Sequence, residues 1–402
     1  TFTLRPDVLW HDGHALRVED FLFTWRMTRN PAVNCGEQRF QFEQIVDAEK
    51  LDLRRLRFYF GKQYFGAAAV FEALIPLPAH LYDLKDAANP DFKPGASDAE
   101  QARYVNEHRC NGAAWIGLGP YRVTEFNDEY VEATRFEGYF DRAHGGHFDA
   151  IRWRRISDDA LAFRALIDGQ IDFTARVLAD DYFGAAAHSD EFAARFYTGW
   201  FYTPRMSYVG WNLKRPLFAD VRVRKALALA LDWDEHVRSF YRGLAERVTA
   251  EWYDGGLDYE RSLVPLRCDS KAAAALLAEA GWIDRDGDGT LDREGVPFDF
   301  ELLMMTGNKP GEALSQQYQA ALASLGIRMH VVSRDWGALA DQVSKREYDA
   351  VFKAWIMPLE SDPEQRWHSR NVGPGTANEV SLADSAVDRW IERFQVELDP
   401  VK

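Results

Sequence analysis

The sequence predicts an α/β chain organised as two lobes. Its 402 residues exceed what one core ordinarily serves, since domains run to roughly 100–200 residues. The last third alternates strand and helix patterns, which is what helices packed on a sheet produce. Near mid-chain a strand pattern hands over to a buried helix pattern, and there the chain would cross from one lobe to the other.

Composition narrows the function classes. Hydrophobic residues make up 47% of the chain, yet no run approaches the ~18–20 apolar residues that a membrane-crossing helix needs. A net charge of −15, from 63 acidic against 48 basic residues, repels nucleic-acid phosphates, so no nucleic-acid partner is expected. Cys35, Cys110 and Cys268 are far apart with no C-x-x-C, which excludes a cysteine zinc site and a dense disulfide framework.

Taken in order, the first elements are strand pieces at Phe2–Arg5 and Val8–Trp10, a turn at Asp12-Gly13, and a helix in which Val18, Phe21, Leu22 and Trp25 recur at i, i+3, i+4 and i+7. Glu19 and Asp20 stand in its first turn, where the helix dipole favours negative charge. His11 and His14 are close across the turn, but a metal site needs further ligands that the local sequence does not supply. From Cys35 to Cys110 periodicity weakens, and the proline-punctuated stretch after Ala73 reads as loop-rich. A disulfide between Cys35 and Cys110 and two separate buried thiols both fit. Gly117-Leu118-Gly119-Pro120-Tyr121 has no following lysine or helix start, so it is no phosphate loop; it leads into a strand at Arg122–Phe126. A strand ending at Ile156, a helix through Leu161–Leu166 and a strand at Ile171–Phe173 form a β–α–β pattern.

At the centre, Val209, Trp211 and Leu213 share one strand face; Asp220 then caps a helix carrying Val223, Leu227, Ala230 and Leu231. A helix at Lys271–Ala280 precedes Asp284, Asp286, Asp288, Thr290 and Asp292, with Gly289 among them. These oxygen donors at positions 1, 3, 5, 7 and 9 match the spacing that wraps a hard cation, but position 12 is Gly295 rather than a bidentate glutamate. A looser calcium site and a plain acidic turn both stand, and no cofactor other than calcium is suggested. Strand Phe298–Met305, a helix through Leu325, strand Ile327–Val332, helix Trp336–Lys345 and strand Tyr348–Trp355 complete the alternation. The loop from Trp355 to Asn378 lies past a strand's carboxyl end, where open α/β sheets place their ligands. The expected contact set is Trp355, Met357, Leu359, Glu360 and Asp362, with Tyr208 and Asn378.

Two stretches resemble a known family. Phe2, Leu4, Arg5, Val8, Trp10, His11, Asp12, Gly13, Leu16, Asp20 and Phe23 match an F-x-L-R-x-x-V-x-W-H-D-G-x-x-L-x-x-x-D-x-x-F motif. Asn212, Pro216, Phe218, Asp220, Val223, Arg224, Ala226, Ala230 and Asp232 follow its mid-chain signature. Both are similar to the family 5 bacterial extracellular solute-binding proteins, which include the dipeptide and oligopeptide receptors of ABC importers. The resemblance implies a periplasmic-binding-protein-like fold of type 2: lobe one at 1–207 with a loop-rich subdomain at about 27–115, a hinge crossing at 208–216, and lobe two at 217–402. In such receptors strands precede the first motif and a final segment returns to lobe one, so the chain is expected to lack N- and C-terminal segments.

The implied function is a monomeric substrate-binding receptor, not an enzyme. It would take a small solute, foremost a peptide, and present it to ABC permease subunits in the periplasm or at the outer face of the cytoplasmic membrane. A sugar- or metal-complex-binding receptor of the same family is the alternative, and a glycoside hydrolase a more distant one, suggested by the 13 tryptophans. One departure bears on the ligand. The family's peptide receptors place an aspartate for the peptide amine three residues after the tryptophan that resembles Trp355, and here that residue is Pro358. Glu360 or Asp362 would have to substitute.

Overall fold

In the computed structural model, which describes residues 1–35, 39, 42–112, 114–256, 259–357 and 362–399, the chain divides into two compact units, Thr1–Leu178 and Ala179–Lys402. No described helix is long and apolar enough to cross a membrane.

The first unit holds two small antiparallel sheets. β1 (Phe2–Thr3) pairs with β3 (Arg55–Phe60), and β3 with β2 (Ile45–Lys50), in the order β1-β3-β2. The expected helix is present at Val18–Arg29. Arg17, its N-cap, makes no side-chain cap, but the Asp20 carboxylate accepts the Arg17 N–H at 2.8 Å and so satisfies that end of the helix from within its first turn. The region expected to be loop-rich is more ordered than its sequence suggests: it contains β2, β3 and helices at Ala67–Ala73 and Asp98–Asn106. Leu56 and Phe58 of β3 pack with Val18, Trp25 and Val70, which only long-range pairing could bring together. Cys35 and Cys110 pack in one cluster with Phe23 and Met27 as free thiols, so the two-thiol alternative describes them.

The second sheet of this unit has the order β4-β5-β6, from β4 (Tyr121–Phe126), β5 (Tyr130–Arg135) and β6 (Ala150–Arg154). The β–α–β expectation fails here. The helix forms at Asp159–Ile167, but Ile171–Phe173 forms no strand, and β6 pairs antiparallel with β5 instead. β5 reaches β6 through the connection 136–149, and antiparallel pairing needs no helical crossover.

The second unit is built on a four-stranded sheet of order β11-β10-β12-β7. β7 spans Arg205–Trp211, a two-residue-per-strand hairpin β8–β9 spans Asp292–Arg293 and Val296–Pro297, and β10 (Asp299–Met305), β11 (Arg328–Arg334) and β12 (Ala350–Ile356) follow. β10 runs parallel to both β11 and β12, with helices Lys309–Ser324 and Trp336–Lys345 as the crossovers. Alternation along β10 explains the layering: Phe300, Leu302 and Met304 enter the core with Leu227, Leu314 and Tyr318, whereas Leu303 faces Val351, Leu339 and Val343 on the other side. The Tyr318 hydroxyl donates to the Leu227 carbonyl at 3.0 Å, tying the crossover helix to helix Val221–Ala230. Gly311 permits the close packing of helix Lys309–Ser324, because a Cβ there would stand 2.7 Å from the Phe352 ring.

The compact units divide earlier in the chain than the expected boundary at 207/208, and part of the expected hinge at 208–216 lies in this sheet. The division falls at Leu178/Ala179, and Tyr208–Trp211 belongs to β7, which is held antiparallel to β12 over a seven-residue register from Trp211↔Ala350 to Arg205↔Ile356.

Candidate functional site

A cleft of about 890 Å³ lies in the second unit along edge strand β7 and the carboxyl end of β12. The antiparallel register sets Trp355 opposite Met206 and Lys353 opposite Tyr208, so Trp355 and Tyr208 are diagonal neighbours on one face. Their rings meet with centroids 4.3 Å apart, and Trp367 approaches Trp355 edge-on at 5.8 Å. The Tyr208 hydroxyl donates to Glu379 Oε2 at 3.2 Å, and Lys353 pairs with the other Glu379 oxygen. Burial, reinforced by Glu379, pushes the Tyr208 phenol far above its ordinary range, so it is a neutral donor.

The opposite wall comes from the segment after helix Trp233–Ser239, including Tyr241 and Glu251. Glu251 is 2% exposed, and its Oε1 has no hydrogen-bond partner among the described residues. Its Oε2 lies 3.4 Å from Arg366 Nη1, and the Arg366 guanidinium sits 4.5 Å from the Trp355 ring centroid. Burial raises the Glu251 carboxyl above the ordinary glutamate range, and Arg366 and Trp367 offset this only in part. The cleft thus combines flat aromatic surfaces with a desolvated acid paired with Arg366 through one oxygen and open at the other, an arrangement suited to enclosing a ligand of mixed polarity.

The model of the bacterial extracellular solute-binding proteins, family 5 (middle) matches residues 1–375. The chain belongs to this family. Among its relatives is the oligopeptide-binding protein AppA of Bacillus subtilis (strain 168), 27% identical over 403 residues that cover 97% of this chain and 68% of AppA. A putative binding protein of Brucella suis biovar 1 is 26% identical over 453 residues, covering 97% of this chain and 67% of its own. The structure of B. subtilis AppA in complex with a nonapeptide superposes with a TM-score of 0.77 at 24% identity, covering 99% of this chain and 75% of that one. NikZ from Campylobacter jejuni in complex with Ni(L-His) gives 0.79 at 23%, covering 97% and 73%. The fold is therefore the two-lobe α/β architecture of these receptors, and the function of the chain is solute binding.

Within this family 5 receptor the expected contact residues separate. Trp355, Met357 and Tyr208 line the cleft together; Met357 is anchored by its N–H to the Pro204 carbonyl at 2.6 Å. Asn378 is corrected: it is fully buried away from the cleft lining, where its amide donates to the Leu382 and His368 carbonyls and accepts the Leu382 N–H, closing a loop. Asp362 is also outside the lining. One of its oxygens accepts the Glu364 N–H at 2.9 Å and the other the Gln395 amide at 2.9 Å, so it serves the turn into Glu364–Trp367. Leu359 and Glu360 lie outside the described residues. Sequence reasoning missed Glu251, Trp367 and Arg366. The signal it could have used for the last two was the Arg366-Trp367 pair within the loop already singled out; Glu251 had none.

The acidic loop brings together Asp284, Asp286 and Asp288. Asp292, of the expected five donors, does not join them and is occupied by the backbone N–H and guanidinium of Arg285, while Arg328 donates from Nε to Thr290 Oγ1 at 2.9 Å and from Nη2 to Asp288 Oδ2 at 3.1 Å. Asp284 accepts the Gly287 and Gly289 N–H groups at 2.8 and 3.0 Å, so the loop is shaped by its own backbone. Asp284→Ala is expected to lower Tm by a few degrees in calcium-free buffer; an unchanged melting curve would show that these bonds do not hold the turn.

Proposed function

We propose that this receptor captures peptides for an ABC importer, working as a monomer on the outer side of the cytoplasmic membrane and handing ligand to permease subunits. The observation that carries the reading is the cleft itself: Trp355, Tyr208 and Trp367 offer sequence-tolerant stacking surfaces, and Glu251 offers a buried acceptor for a positive group. Kinship with AppA, an oligopeptide-binding protein by name, supports it. The reading requires no cofactor and no turnover. Defined free-amine peptides should raise Tm and be recovered intact after prolonged incubation; stabilisation by oligosaccharides but not peptides, or cleavage of the peptide, would overturn it.

The electrostatics give a pH dependence. Because the folded Glu251 carboxyl titrates above its unfolded value, its contribution to stability is fully present below the unfolded pKa and is lost as pH rises through the raised one. A ligand ammonium group beside the ionised form recovers that loss. Affinity for a free-amine peptide is therefore expected to rise with pH across the interval above the ordinary glutamate value, and Glu251→Gln should flatten the profile. At neutral pH the unmodified protein should prefer a free-amine peptide over its N-acetylated form by about tenfold or more, the weight of one charge-assisted hydrogen bond. Calorimetry giving equal affinity for both forms would remove Glu251 from amine recognition.

A further inference from the structure

The turn that carries Asp12 and His14 meets His80 across 68 residues of sequence. Trp10 N–H donates to the His14 carbonyl and Gly13 N–H to the Trp10 carbonyl, and Gly13 takes φ +90, so the chain reverses tightly and sets Asp12 and His14 side by side. His80 Nε2 lies 2.7 Å from Asp12 Oδ2, and His14 Nδ1 lies 3.2 Å from Asp12 Oδ1. The two imidazoles stack at 4.0 Å. A nitrogen from each histidine and a carboxylate oxygen all lie within 4.8 Å of one another.

We propose that Asp12, His14 and His80 form a binding site for a divalent transition-metal ion of the zinc type. A tetrahedral ion with bonds of about 2.0–2.2 Å holds its donor atoms roughly 3.3–3.5 Å apart, so side-chain adjustments on the order of an ångström bring the three groups to receive one. Two imidazoles and one carboxylate suit zinc, nickel or copper and not calcium, which takes six or more oxygens. The side chains of His14 and Asp12 are 55% and 23% exposed while that of His80 is 3% exposed, which leaves the fourth position open to water on the His14 side.

His14 and His80 both present a ring nitrogen to the same carboxylate with their rings stacked, so two imidazoles and one carboxylate converge on one point. The frame is preorganised as well. Asp20 accepts Trp10 Nε1–H on one oxygen and the Ala79 N–H on the other, so one buried carboxylate holds both segments that deliver ligands. His11 takes no part, because its Nδ1 accepts the Gly117 N–H at 3.2 Å and its Nε2 donates to the Gly119 carbonyl at 2.9 Å.

Titrating the whole chain with Zn(II) in calcium-containing buffer, followed by calorimetry and thermal melting, tests the site. One ion is expected to bind and raise Tm. His14→Ala, an exposed position, should leave the metal-free Tm unchanged and weaken zinc by about tenfold or more. His144→Ala, which removes a separate surface contact to Asp141, should leave zinc binding as it is. Zinc binding of equal strength in His14→Ala, the absence of any zinc-dependent rise in Tm, or displacement of zinc by millimolar calcium would each overturn the assignment.

Discussion

Asp20→Ala is expected to lower the stability of the first unit by about 3 kcal/mol or more, because three N–H groups would each be left short of an acceptor at about 1–3 kcal/mol apiece. Asp20 is fully buried, and its oxygens accept from Trp10 Nε1 at 3.2 Å, Arg17 N at 2.8 Å and Ala79 N at 2.8 Å. These donors come from the first turn, the helix N-terminus and the segment that carries His80, so one side chain joins three parts of the chain. Burial still raises its carboxyl above the ordinary aspartate range, with the Arg17 and Ala79 N–H groups opposing the shift. Asp20→Asn keeps the volume and one acceptor and should fall between the two. Chemical denaturation followed by fluorescence would report the change, and a loss under about 1 kcal/mol for the alanine variant would mean that water or rearranged backbone replaces the carboxylate.

Trp355→Ala is expected to weaken peptide binding by about 2 kcal/mol, roughly thirtyfold in Kd, with a smaller effect on unfolding. The indole is half-buried at the end of β12, and its neighbours Tyr208, Trp367 and Arg366 surround a surface that faces the cleft instead of filling the core. Losing it removes a rigid stacking surface and also frees Arg366, which then pairs with Glu251 without restraint from the ring. Trp355→Phe should restore most of the affinity. Calorimetry with a defined peptide, paired with melting of the ligand-free variant, separates the two effects; a Tm collapse with unaltered affinity per folded molecule would make Trp355 a core residue.

The legible parts of the site were those that one strand could carry. Trp355 ends a strand, where ligands gather at a sheet's carboxyl end, and Tyr208 lies on a strand whose alternation is visible in sequence; both line the cleft. Asn378 and Asp362 were picked from the same polar loop, but a loop residue's direction depends on which backbone groups it must satisfy, and both turned inward to close turns. Glu251 gave no local sign, since a lone glutamate in a loop reads as solvated until the packing around it is known.

By itself, the sequence determined the family, the α/β class, the strands that became β10, β11 and β12, and the helix start at Asp220, because each rests on periodicity or on residues near in the chain. Tertiary structure alone decided which unit owns Tyr208–Trp211, that β6 pairs antiparallel with β5, and that Arg285 occupies Asp292 beside the acidic loop. It also decided that His80 completes a cluster with Asp12 and His14. The physical reason is common to these cases: strand pairing, burial of a charge and convergence of side chains are long-range properties, set by which partner remains available once the apolar faces have packed.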